Sequence, residues 1–362
     1  MYHLLRIYVW LGLKIYCPYL RLNRQDRLAE KGPLILAANH PNAILDAMII
    51  GTLFREPIYF LSRGDVFSHP LISKVLSSLR LIPVYRLSEG KEYLRLNAKS
   101  FDRCDHEISK GAIVLIFAEG SCEHQWKLRP LKKGTARVAL KAMFGEAPAS
   151  GLRVLPVGLN YSSFDGPGKT VLVEFGSMIS VADMGQEKPE AALMPEFNKL
   201  LTARLQACVL QSTANKKQIQ AQIIHSGQKS LAVLKKQLEE PTADDRPPAT
   251  SDSISIRNSE TKSPARLFFC FMLSVPAAIG WALHSPLYYS VKAIVKPATK
   301  NTVYYDSVLF ISLLVLYPVY WILILLAALK WPSNGLFILS VLLMPLLASA
   351  MVNFKRLFIP PA

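Results

Sequence analysis

Between Pro33 and about Phe175 the chain alternates short apolar runs with longer stretches of helical periodicity. Residues 34–38 (LILAA), 57–62 (PIYFLS), 81–85 (LIPVY), 112–117 (AIVLIF), 153–159 (RVLPVGL) and 170–175 (TVLVEF) have the length and side-chain types of buried strands. The stretches 43–54, 66–79, 90–109 and 134–144 repeat apolar residues at helical spacing. Strands buried on both faces and separated by helices predict an α/β fold, a mixed, mostly parallel sheet flanked by helices, over residues 26–187. No internal repeat interrupts this pattern.

The flanking segments follow other patterns. Residues 2–22 are apolar and aromatic but broken by Arg6, Lys14 and Pro18. The uncharged run is too short to span a bilayer. Within 1–25 an amphipathic helix is expected, lying in a membrane interface or packed on the domain. No small-residue cleavage site follows it, so it does not read as a removable signal peptide. Residues 188–240 predict a helical extension, and 241–265, rich in Pro, Ser, Thr and charge, a flexible linker.

Residues 266–362 predict a membrane region. The runs 307–329 and 335–354 are long enough to cross a bilayer, whereas 267–283 is shorter and carries Pro276. Lys292, Lys296 and Lys300 precede the first crossing, and Lys355 and Arg356 follow the second. Both groups favour the cytoplasmic side, which makes 307–354 a hairpin and 267–283 a re-entrant or interfacial segment, with a third full span as the alternative.

Charge and cysteine content narrow the function. Lys and Arg outnumber Asp and Glu by 42 to 26. Residues 267–362 hold six basic side chains and one acidic one, Asp306, so the preceding part keeps 36 basic against 25 acidic groups, a net +11. A basic globular part joined to an apolar tail suits anionic membrane surfaces and phosphorylated substrates. No nucleic-acid motif is present, and nucleic acid is not an expected partner. The five cysteines, Cys17, Cys104, Cys122, Cys208 and Cys270, are scattered without metal spacing, which suits a reducing compartment. His69 and His124 lie outside any ligand pattern, so no metal is expected.

The chemistry concentrates where apolar runs end. The first run stops at Asn39-His40-Pro41-Asn42, and Asp46 follows in the next helix. An imidazole at the carboxyl end of a buried strand, oriented by a carboxylate, can take a proton from a hydroxyl. The same residues also suit a structural histidine and a helix-dipole aspartate. A second cluster follows 112–117: Phe117-Ala118-Glu119-Gly120-Ser121, then Lys127, Arg129, Lys132 and Lys133 ahead of a helix near Gly134. It reads as a phosphate site at a helix N-terminus or as a solvated basic loop. Arg86 follows the run 81–85, and Cys122 adjoins the second cluster as a nucleophile to be weighed.

Taken together these blocks resemble the glycerol-phosphate and lysophospholipid acyltransferase family. That family carries a His and an Asp a few residues apart, an Arg after a later strand, a Phe-Pro-Glu-Gly-Thr/Ser block, and a final apolar strand containing Pro. Here the blocks are His40…Asp46, Ile82-Pro83-Val84-Tyr85-Arg86, Phe117-Ala118-Glu119-Gly120-Ser121 with Leu131-Lys132-Lys133-Gly134, and Val154-Leu155-Pro156-Val157. The C-terminal apolar hairpin is similar to the branch of fungal glycerol-3-phosphate/dihydroxyacetone-phosphate acyltransferases. Two departures stand out. Five residues separate His40 from Asp46 where four are usual, which predicts a one-residue bulge. Ser121-Cys122 stand where an Arg is usual.

The resemblance implies His40 as base and Asp46 as its orienting partner. Backbone N–H groups near Gly120 would bind the oxyanion, and Glu119, Ser121, Arg86, Lys127, Arg129 or Lys133 would hold the acceptor phosphate. It implies an acyl-CoA or acyl carrier protein donor, a glycerol-phosphate or lysophospholipid acceptor, membrane lipids as surroundings, and no cofactor. Another lysolipid acceptor such as an aminolipid, or a catalytically silent membrane scaffold, are the alternatives. A transporter fits less well, since the apolar segments carry no intramembrane charge.

Overall fold

The computed structural model describes residues 2–85, 96–145, 148–184, 190–211, 264–300, 302–330 and 335–358, with backbone alone at 190–191, 264–270 and 355–358. The chain forms two compact units. The first comprises Met1–Trp10, Arg21–Asn160 and Leu172–Thr213; the second comprises Leu11–Leu20, Tyr161–Val171 and Ala214–Ala362.

An eight-stranded sheet, most of whose residues fall in the first unit, comprises β1 (Tyr19–Leu22), β2 (Leu34–Ala38), β3 (Ile58–Arg63), β4 (Leu81–Val84), β5 (Ile113–Phe117), β6 (Arg153–Tyr161), β7 (Thr170–Phe175) and β8 (Ile179–Ser180). The spatial order is β1-β7-β6-β2-β5-β3-β4, with β8 antiparallel on β6. The pairs β2–β5, β2–β6, β3–β4 and β3–β5 are parallel. All five residues of β2 are fully buried, as a central strand covered on both faces must be. Burial of Leu34, Ile35 and Leu36 contributes roughly 5–9 kcal/mol, so the strand leading to His40 is firmly held. Pro83 lies on the edge strand β4, where its missing N–H costs no ladder bond.

Helices follow the strands as the pattern predicts: α1 (Tyr2–Tyr16), α2 (Ala43–Leu53), α3 (Pro70–Ser78), α4 (Leu96–Ser109), α5 (Lys133–Phe144) and α6 (Glu190–Cys208). On one sheet face Ile35, Ala37, Val114, Ile116 and Val154 pack with Cys104 and Ile108 of α4, Val138 and Ala142 of α5, and Phe197, Leu201 and Leu205 of α6. The alternate residues Leu34, Leu36 and Ala38 point to the other face. Helix α2 buries Leu45, Ile49 and Ile50.

Two boundaries differ from the sequence pattern. The N-terminal helix ends at Tyr16 because Pro18 disfavours helical backbone at Cys17, and residues 19–22 form an edge strand instead. Of the predicted extension 188–240, residues 190–208 are helical. The remainder beyond 211, with the predicted linker up to 263, lies outside the described residues, and Pro264 and Ala265 begin the next helix.

The second unit contains α7 (Pro264–Ala298), α8 (Tyr305–Leu329), α9 (Gly335–Leu342) and α10 (Met344–Phe358). The run 267–283 is part of α7, which continues through Pro276 and Pro286 for about 52 Å. A Cβ on Gly280 would stand 2.4 Å from the carbonyl oxygen of Leu347, so glycine is what allows α7 and α10 to touch backbone to backbone. The run 335–354 is broken, with α9 and α10 meeting at 74°. Pro345 supplies the cause, since it has no N–H to give the Val341 carbonyl one turn earlier. The indole N–H of Trp321 donates to that oxygen instead, at 2.8 Å. Among the described residues α8 alone is long and apolar enough to cross a membrane as one helix, and the α9–α10 pair passes the same test only when taken together.

A charged cluster is buried in this unit. Asp306, fully buried at the start of α8, accepts hydrogen bonds from the Tyr16 hydroxyl (2.6 Å), the Gly166 N–H (2.8 Å) and the Lys169 ammonium. The Lys169 ammonium also lies 5.4 Å from the centre of the Tyr16 ring. With the two charges paired, Asp306 further hydrogen-bonded and Lys169 beside the Tyr16 ring, the cluster meets the main conditions under which buried ions are tolerated.

Candidate active site

The site is set by strand register. Ala38 of β2 lies opposite Phe117 of β5 and Val157 of β6, and the Ala118 N–H extends the ladder to the Ala38 carbonyl at 2.9 Å. A proline at 118, as in the family block, could not make that bond. His40 and Glu119 each lie two residues beyond a matched pair, so the parallel register brings them to the same sheet edge. The His40 N–H donates to Glu119 Oε2 at 2.8 Å.

His40 is held in three further ways. Its Nδ1 lies 2.9 Å from Asp46 Oδ2. Its ring stacks on Phe117 with centroids 3.8 Å apart and planes 12° from parallel. Its carbonyl accepts the Glu123 N–H at 3.2 Å. Asp46 is fully buried, and the same Oδ2 accepts the Asn42 N–H at 2.8 Å. A buried carboxylate at Nδ1 favours the tautomer with hydrogen on that nitrogen. Nε2 is then the acceptor, and it meets no protein partner among the described residues.

The extra residue between His40 and Asp46 is absorbed at Ala43, which takes the left-handed φ of 47° that non-glycine residues seldom adopt. The Ala43 N–H, which at the first position of α2 has no intrahelical acceptor, donates to Cys122 Sγ at 2.9 Å. Cys122 thus supports the bulge. Burial first, and then the Asp46 charge, push its thiol up to about 12, the opposite of what an attacking thiolate requires. Asn39, just before His40, bonds both the N–H (2.7 Å) and the C=O (3.1 Å) of Leu159, locking the end of β2 to β6.

Glu119 is almost fully buried and its two oxygens are both engaged. Besides His40, it receives the Arg129 N–H (2.8 Å) and Arg129 Nη2 (2.9 Å). Arg129 Nη1 donates to Ser121 Oγ at 2.7 Å and Glu123 Oε1 at 3.0 Å, and Nη2 also donates to the Ser121 carbonyl. The geometry links Glu119, Ser121 and Arg129 in one network under His40. Gly120 turns the chain with φ 69°, and its own N–H is taken by the Phe117 carbonyl at 3.1 Å. The N–H groups of Ser121 and Cys122 have no acceptor among the described residues. Lys127 and Lys133 are exposed, Lys133 as the first residue of α5. Pro156 is buried within β6 opposite Ala37. Arg86 lies outside the described residues. Phe117, Asn39 and Arg129 as a buttress are the parts that sequence reasoning missed; the position of Phe117 at the end of the run 112–117 was the available signal.

Comparison with known proteins fits this geometry. A family model described as Acyltransferase matches residues 20–160. Residues 20–160 are thus similar to an acyltransferase domain. The domain spans the His40–Asp46 pair, the Glu119 buttress and Pro156. A chloroplastic 1-acyl-sn-glycerol-3-phosphate acyltransferase of Brassica napus is 26% identical over 154 residues, covering 42% of this chain and 40% of that protein. An uncharacterized acyltransferase of Schizosaccharomyces pombe is 28% identical over 183 residues, covering 48% of this chain and 25% of that one. The chain therefore spans well under two thirds of either curated relative. The crystal structure of the 1-acyl-sn-glycerophosphate (LPA) acyltransferase PlsC from Thermotoga maritima is 14% identical with a TM-score of 0.37, covering 52% of this chain and 71% of that one.

Proposed function

We propose that the chain is a membrane-bound O-acyltransferase that moves a fatty acyl group from a thioester to a hydroxyl of glycerol-3-phosphate or 1-acyl-glycerol-3-phosphate. The supporting observation is the 2.9 Å contact between His40 Nδ1 and the fully buried Asp46, which leaves Nε2 as the acceptor. In this reading Nε2 takes the proton of the acceptor hydroxyl while its oxygen attacks the thioester carbonyl. Asp46 stabilises the imidazolium, and the N–H groups of Ser121 and Cys122, without an acceptor among the described residues, are the donors for the oxyanion. Collapse of the tetrahedral intermediate expels the thiolate, which recovers the proton from His40. Lys127 and Lys133, exposed and uncommitted to the buttress, are the better candidates for the acceptor phosphate. The length and composition of α8 and the basic residues flanking the C-terminal helices support a multi-pass protein with its acyltransferase domain on the cytoplasmic face.

The test is a competition assay with purified full-length protein. Labelled acyl-CoA and acyl carrier protein are each offered with glycerol-3-phosphate, dihydroxyacetone phosphate and lysophosphatidate. Transfer to a phosphate-bearing acceptor is expected, with a loss of at least about 10²-fold in His40→Ala and Asp46→Asn. Normal turnover in either variant refutes the proposed dyad.

A further inference from the structure

Helix α3 has the composition of a core helix but buries none of its residues. Leu71, Ile72 and Val75 are 70%, 51% and 54% exposed, and Val66 in the preceding turn is 43% exposed. Leu71, Val75, Leu79 and Ile72 fall within about 100° of the helix circumference, so the exposed residues form one stripe. A helix that covered the sheet would turn that stripe inward.

Residues 70–80 contain Lys74 and Arg80 and no acidic side chain. The Arg80 guanidinium lies 5.7 Å from the Tyr2 ring centre and 5.0 Å from that of Tyr59. That contact brings the end of α3 beside the start of α1, where Leu4 and Ile7 are 75% and 56% exposed. Residues 2–16 of α1 likewise contain Arg6 and Lys14 and no acid.

We propose that α3 lies in the interface of an anionic bilayer, with Leu71, Ile72 and Val75 among the acyl chains and Lys74 at the headgroups. Charge complementarity selects this occupant. Over residues 70–80, apolar side chains accompanied by cations and no acid match a leaflet with an apolar interior and an anionic surface, and Asp65 beside Val66 is paired with Arg63. A second copy of the same face would set Lys74 against like charge. The contact is separate in sequence from the C-terminal helices and does not depend on acyl transfer.

The experiment uses the full chain in nanodiscs of phosphatidylcholine and phosphatidylglycerol that contain a lipid with a diazirine in its acyl chain. After illumination, peptides covering residues 63–80 and 305–329 are analysed by mass spectrometry. Lipid adducts are expected on 66–75 and on α8. In I72E/V75E the first set should fall at least fivefold while the second persists, and the melting temperature should hold because both positions are exposed. Omitting phosphatidylglycerol should also reduce the first set. Absence of adducts on 66–75 with α8 labelled, labelling unchanged in I72E/V75E, or cross-links joining two copies at residue 72 would each overturn the proposal.

Discussion

Replacing Glu119 by glutamine separates a residue that supports the site from one that touches the acceptor. Three N–H donors converge on this buried carboxylate, from His40, the Arg129 backbone and the Arg129 guanidinium. A glutamine keeps the volume but offers one oxygen and one NH2. Its best orientation places the oxygen between His40 and the guanidinium and turns the NH2 toward the Arg129 N–H, donor against donor. One unsatisfied buried donor costs about 1–3 kcal/mol. Arg129 also loses its nearest charge, and breaking a buried pair costs about 3–5 kcal/mol. That second figure is reduced here because Glu123 still meets Arg129 Nη1 at 3.0 Å. The net loss comes to roughly 2–4 kcal/mol, or a fall in Tm of about 5–15 °C for a unit of this size. A displaced His40 backbone should lower kcat by about 10²-fold, with acceptor KM within about threefold of wild type. Thermal melts and steady-state kinetics on the same preparation supply both readouts. An unchanged Tm and kcat with acceptor KM raised tenfold or more would show that Glu119 contacts the acceptor and would refute the buttress.

The bulge makes a conformational prediction. Ala43→Gly should be neutral to about 1 kcal/mol stabilising, because glycine takes the left-handed φ without a Cβ penalty, whereas Ala43→Val should cost about 2 kcal/mol or more by chemical denaturation. With its thiol at about 12, Cys122 should react with iodoacetamide at pH 8 roughly 10³ times more slowly than an ordinary thiol, by mass spectrometry of the folded protein. The linked stability runs in the same sense: the unfolded thiol ionises near 9 while the folded one does not, so this contribution is full below pH 9 and declines as pH rises toward 12. In the second unit, Lys169→Met should destabilise by about 3–5 kcal/mol because it leaves Asp306 buried without its cation. Lys169→Met combined with Asp306→Leu should recover part of that loss in a double-mutant cycle.

The strands were legible because each is a short apolar run with a clear end, and β2, β5 and β6 match the expected runs within two residues at either end. The His40–Asp46 contact was legible in kind, since a strand end and a following helix bring those positions together. The backbone device that reconciles the unusual spacing was not, because alanine has no sequence signal for a left-handed φ. The ties that Glu119 and Arg129 make were not legible, for a physical reason. The donors that satisfy Glu119 come from positions 40 and 129, and a basic loop looks the same in sequence whether its arginine faces solvent or folds inward. Helix α3 was legible as a helix, but apolar periodicity says that a stripe exists and not what covers it. The run 335–354 met the length requirement for a span, yet Pro345 inside it was the available warning of the 74° bend.

The two buried carboxylates of the site divide one task. Asp46 holds the His40 ring through Nδ1, and Glu119 holds the His40 backbone through its N–H, while Phe117 fixes the plane of the ring between them. These three residues come from α2, the loop after β5, and β5 itself, so the position of the imidazole is determined by the packing of the sheet rather than by its own loop. Asn39 adds a fourth tie, to β6. The outcome is a side chain with one ring nitrogen unengaged among the described residues, placed where parallel strands end. In the proposed reaction, a base fixed in this way would need little reorganisation when a hydroxyl arrives, which is how orientation lowers a barrier before any charge develops. In the proposed reaction, specificity would come from groups outside the clamp, and the exposed Lys127, Lys132 and Lys133 are cations near it in sequence whose side chains the clamp does not use.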